Sequence, residues 1–129
     1  MDEILRGKFF SLYSQIALVD VETPDAYPEW ITGDEIAAIG PNGVAIPTLG
    51  DTFIDVIIYK GRGDVDGIEY ASGFIEVGNQ GLLVGNIAAS SYTTFAWPSG
   101  KTAFKVYADK PKNSAKSLFF VLEVDDEPK

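Results

Sequence analysis

Six carboxylates between Asp20 and Glu35, with no basic residue among them, offer this 129-residue sequence its clearest chemistry. Asp20, Glu22, Asp25, Glu29, Asp34 and Glu35 are interleaved with two large aromatics, Tyr27 and Trp30. A block of one sign either solvates a loop or projects a field, and charge alone leaves both open. As a field, it suits a basic protein partner: a cleft built to hold phosphate focuses potential outward, and an acidic surface is steered into it. The six acids are therefore candidate charge donors to a partner, with Tyr27 and Trp30 as candidate anchors. The rest of the charge is uneven in the same sense. No Lys or Arg lies between Lys8 and Lys60, whereas Lys101, Lys105, Lys110, Lys112 and Lys116 gather in one later segment with Asp109 as the lone acid. With a net charge of −9 the chain is repelled by phosphate backbones, which argues against direct contact with nucleic acid.

Catalysis has little to work with. The sequence contains no His and no Cys, which removes the commonest general base at neutral pH, thiolate chemistry, disulfide scaffolds and His- or Cys-ligated metal sites. Asp55 is the odd polar residue in an aliphatic stretch; paired-carboxylate hydrolysis needs a second acid facing it, and none is assignable. Asp64-Val65-Asp66-Gly67 begins like a calcium loop, but Ile68 and Ile75 stand where later oxygen ligands belong. Arg62-Gly63-Asp64 reads as a glycine-rich turn. Trp30, Trp97, Tyr13, Tyr27 and Tyr92 are compatible with a sugar-binding surface or with a core. The expectation is a binding protein rather than an enzyme, without metal or cofactor; a carbohydrate- or small-ligand-binding module is the alternative.

The elements that position these residues read as β-structure. In Thr52–Lys60, Ile54, Val56 and Ile58 share one face while Phe53, Asp55, Ile57 and Tyr59 share the other, the pattern of an inner strand packed on a second layer. Lys8–Val21 alternates as one long first strand, with Phe10, Leu12, Ile16 and Leu18 on its apolar face. Thr32 and Glu35 form a capping box ahead of Ile36–Ile39, predicting one short helix that ends at Gly40. Val44–Leu49 is a short extended piece held to an edge or a strand start by Pro47. Further strands are expected at Ile68–Val77, with Gly73 marking a bulge or a close approach, and at Leu82–Ile87, joined to it by a hairpin turn at Gly78–Gly81. Thr93–Trp97, Lys101–Ala108 and Ser117–Val124 complete the set.

Seven or eight short strands with Gly/Pro turns and one helix predict a single mainly β domain over residues 1–129, an antiparallel β-sandwich or flattened barrel. A chain of this length buries roughly two-thirds of its unfolded surface, enough for a core without staples. No apolar run reaches the ~20 residues of a membrane span, and Met1–Lys8 is acidic before it is basic, unlike a signal peptide; a cytoplasmic protein is expected. Its oligomeric state is left open.

Phe10, the Tyr13-Ser14-Gln15-Ile16 run, Asp20, Trp30, the Thr/Asp/Glu helix start ending at Gly40, and Val44–Thr48 ahead of an aliphatic strand together resemble the competence protein J family. The resemblance covers about Phe9–Lys60, and the Trp97-Pro98-Ser99-Gly100 turn is compatible with it. The family's namesake inhibits a DNA-uptake nuclease in naturally transformable bacteria. The resemblance thus implies a bacterial protein that works by binding, as an inhibitor or immunity-like antidote of a nuclease, and it carries over no catalytic residue.

Overall fold

Ten strands build two open five-stranded sheets, seen in a computed structural model that describes residues 1–23 and 37–125. The first sheet, A, runs in the order β1 (Asp2–Phe10), β5 (Phe53–Lys60), β10 (Ser117–Val124), β9 (Gly100–Ala108), β6 (Ile68–Val77). The second, B, runs β3 (Ala38–Ile39), β4 (Gly43–Pro47), β2 (Gln15–Asp20), β7 (Leu82–Asn86), β8 (Ser91–Phe95). Every pairing is antiparallel except β5 with β10, which is parallel. The expected sandwich is thus present, and the sheets do not close into a barrel.

The period-2 pattern of β5 holds residue by residue. Ile54, Val56 and Ile58 are fully buried, while Phe53 and Asp55 are exposed. The strand sits inside sheet A, between β1 and β10. Across the layer these side chains join Ile16, Leu18, Val44, Ile46 and Val84 of sheet B and Phe104, Leu118 and Phe120 of sheet A in one core cluster. Each fully buried aliphatic or aromatic side chain contributes about 1.5–3 kcal/mol. A smaller cluster, Ala17, Val19, Ala38, Ala45 and Leu83, occupies the opposite face of sheet B.

The single long first strand is two strands. Tyr13 and Ser14 take left-handed backbone angles (φ 60° and 59°) in a one-turn 3-10 segment, Leu12–Ser14, that swings the chain from sheet A to sheet B. Buried Ser11 fastens this corner, its hydroxyl donating to the carbonyls of Leu49 (2.6 Å) and Thr52 (3.0 Å). The corner also resets the register. Phe9 is the inward residue of β1, and Phe10 meets Phe53 edge-to-face at 5.4 Å. Alternation is blind to such a corner because the apolar spacing on either side of it stays even.

Two further expectations change, and one of the two alternatives for Gly73 is met. Gly78–Gly81 is no hairpin turn: β6 belongs to sheet A and β7 to sheet B, so the turn carries the chain between layers. The Trp97–Gly100 turn carries it back, with buried Trp97 donating its indole N–H to Thr102 Oγ1 at 2.7 Å. Residues 32–36 of the expected helix lie outside the described residues, and Ala38–Ile39 pairs with Val44–Ala45 as a strand. Gly73 marks a close approach, as a Cβ there would press on the Phe104 ring at 3.3 Å, while the strand's irregularity falls between Glu69 and Ala71.

Candidate functional site

Of the eight residues expected to meet a partner, Asp20 and Glu22 lie within the described residues; Asp25, Tyr27, Glu29, Trp30, Asp34 and Glu35 lie outside them. Asp20 ends β2 and is 3% exposed. Its Oδ1 accepts the backbone N–H of Gly78 at 2.9 Å, and its Oδ2 accepts the Thr23 hydroxyl at 3.2 Å. Glu22 is exposed, and its Oε1 accepts the N–H of Asn79 at 2.8 Å. The first two acids of the block therefore clasp the turn between β6 and β7. Asp20 does so from inside, so its charge reaches solvent only as a field, whereas Glu22 keeps surface.

The described cations keep to one sheet. Every described Lys and Arg lies on a strand of sheet A or on a loop joining two such strands: Arg6 and Lys8 on β1, Lys60 on β5, Arg62 just after it, Lys101 and Lys105 on β9, and Lys110, Lys112 and Lys116 in the β9–β10 loop. Five of those nine cations are matched in place. Arg6 meets Glu3 at 2.7 Å, Lys8 meets Asp55 at 2.9 Å, and Arg62 meets Glu123 at 2.7 Å; Lys101 and Lys105 meet Asp125 and Asp64 at 3.4 and 3.3 Å. Asp55 is thereby accounted for as an exposed partner of Lys8. Sheet B carries no Lys or Arg, and residues 11–52 supply seven acids and no base, most of the net −9.

The other candidates are structural. Asp64 Oδ1 accepts the Tyr107 hydroxyl at 2.8 Å and Lys105 Nζ at 3.3 Å, which folds the β5–β6 loop against sheet A. These bonds hold the Asp64 carboxyl below its ordinary range, the Tyr107 bond foremost. Burial, and then the facing Asp64, push the Tyr107 phenol up to about 12. No three acids converge as a metal cluster among the described residues. Trp97 belongs to the core, whereas Tyr13 and Tyr92 are exposed on the corner and on β8; Tyr27 and Trp30 lie outside the described residues.

Sequence reasoning missed the outer face of sheet A, which carries two clefts. One, of about 390 Å³, is floored by Gly73, Ala103 and Val121 and walled by Phe74, Arg62 and Lys105. Phe74 is 52% exposed and holds Lys101 Nζ 4.3 Å from its ring centre. The second, of about 530 Å³, spans Arg6, Lys8, Asp55, Ile57 and Phe119. The available signal was outward Phe74 with Ser72 two residues before it, an aromatic beside a small side chain on the same face, which leaves a hollow.

No family model matches the sequence, and no curated protein matches it significantly. Solved structures do match. ComJ from Bacillus subtilis, an inhibitor of the DNA-degrading activity of NucA, superposes with a TM-score of 0.76 at 12% identity, over 95% of this chain and 96% of that one. The protein described as crocagin biosynthetic gene J gives 0.55 at 12% identity, over 97% and 99%. Along nearly its whole length, this chain has the fold of ComJ.

Proposed function

We propose that this protein binds a nuclease and inhibits it, presenting its acidic side to the enzyme's basic cleft. The observation that carries the reading is the uneven charge along the chain: residues 11–52 hold seven acids without a base, while five of the nine described cations already pair with acids of their own. Sharing a fold with an inhibitor of a DNA-degrading enzyme supports it. Glu22, Asp25, Glu29, Asp34 and Glu35 supply the charge at the contact, Tyr27 and Trp30 anchor it, and Asp20 adds its field from beneath. The protein needs no cofactor for this work and acts in the cytoplasm of a bacterium.

The test begins with retention of a basic nuclease from a lysate of the source organism at low salt, followed by titration of its DNA cleavage. A triple reversal, Asp25→Lys with Glu29→Lys and Asp34→Lys, which leaves the Glu22–Asn79 bond in place, is expected to weaken inhibition by roughly a hundredfold while the melting temperature stays close to wild type. A folded triple variant that inhibits as well as wild type would sink the proposed surface. Failure of the wild type to inhibit any retained nuclease would sink the function.

One observation favours a second reading, a small-ligand-binding module: the cleft beside Phe74, with an aromatic wall and two cationic rims. That reading requires a ligand that raises the melting temperature saturably and independently of salt, and whose effect disappears in Phe74→Ala.

A further inference from the structure

Each sheet ends in two edge strands, and three of the four are guarded. β1 carries Asp2, Glu3, Arg6 and Lys8 and is broken by an irregularity between Glu3 and Leu5. β6 carries Glu69 and Glu76 and is broken between Glu69 and Ala71. β3 has two residues. Charges, bulges and shortness are the usual devices that stop an edge from recruiting another strand. β8, Ser91-Tyr92-Thr93-Thr94-Phe95, has none of them: no charge, no proline and an unbroken register against β7. Tyr92, Thr93 and Thr94 are all exposed.

The surroundings of β8 are unusual for so acidic a chain. The twenty-four residues from Val77 to Gly100 contain no Asp, Glu, Lys or Arg. The edge is also held in place, since the N–H of Phe10 on β1 donates to Ser91 Oγ at 2.8 Å. Among the described residues the backbone of Ser91–Phe95 bonds to β7 and to no other element, so alternate N–H and C=O groups point away from the sheet.

We infer that β8 is a self-association edge, pairing antiparallel with β8 of a second copy to join two B sheets into one. Three features select a second copy as the occupant. A two-fold axis at Thr93 sets Thr93 against its own equivalent, Tyr92 against Thr94 and Ser91 against Phe95, with no like charges opposed. Two chains of −9 repel over most of their surfaces, so the charge-free edge is where they approach at least cost. A basic partner, by contrast, is drawn to the acidic residues and gains nothing from this edge. Five residues a side make a small interface, below about 1,200 Å², so the dimer is weak, with a dissociation constant on the order of tens of micromolar.

Sedimentation velocity from about 10 µM to 1 mM tests this, the range bracketing that constant. Wild type is expected to shift from monomer to dimer, more readily as added salt screens the repulsion. Thr93→Lys and Thr93→Glu each place like charges face to face on the axis and are expected to weaken association by about tenfold or more. Mixing the two variants restores a dimer. Both change an exposed position, and unchanged circular dichroism and melting temperature confirm the fold. A wild type that remains monomeric throughout, or a dimer indifferent to both substitutions, overturns the inference. A monomeric wild type whose nuclease inhibition is lost in Thr93→Lys also overturns it and assigns the edge to a partner's strand.

Discussion

At the scale of single residues, the chemistry that the sequence offers is mostly absorbed by the fold. Asp64 resembled a calcium ligand and instead receives a phenol and an ammonium. That pairing has a measurable pH signature. The folded Tyr107 phenol is raised to about 12, above its ordinary value of 10.0, so the folded state favours the protonated form. Its contribution to stability is complete below about pH 10 and is lost as pH rises from there toward 12. Ultraviolet titration should show the Tyr107 phenol ionising late, near pH 12, and urea midpoints should fall across that alkaline window. Asp64→Asn removes the facing charge and should bring this last ionisation downward. A variant in which it stays in place would show that burial alone sets it.

At the scale of elements, the decisive contacts are those between connections. Asp20 and Glu22 at the end of β2 hold Gly78 and Asn79, the turn that takes the chain from sheet A to sheet B. Asp20→Ala leaves the partly buried Gly78 N–H without its acceptor and is expected to cost about 1–3 kcal/mol in urea unfolding. Asp20→Asn keeps one oxygen and should cost less. Where the protein remains folded, each removes only the field of a carboxylate that has no surface and should weaken nuclease inhibition slightly; a large loss of inhibition with unchanged stability would place Asp20 at the contact itself. Gly85 plays a comparable local part in the hairpin between β7 and β8. Its backbone (φ 134°) favours glycine, and a Cβ there would collide with the Ser91 carbonyl oxygen.

At the scale of the whole molecule, charge separates the two associations proposed here. Binding to a basic nuclease should weaken steeply from about 0.05 to 0.5 M salt, as the field between unlike surfaces is screened, whereas pairing of two acidic copies through β8 should strengthen. Inhibition that does not respond to salt would remove the electrostatic basis of the proposed function. The sequence alone determined the mainly β character, the inward face of β5 and the segregation of acids from bases. These depend on residue type and on a spacing of two, which a linear chain displays directly. Only the tertiary structure decided which strands share a sheet. Gly78–Gly81 reads as a local hairpin but is a crossing, as is the Trp97–Gly100 turn, and Lys8–Val21 is broken at a corner between layers. A short turn has the same composition whether it returns a strand beside its predecessor or delivers it to the facing sheet. The choice rests on which buried faces must meet across the core, and that is set by residues far apart in the chain.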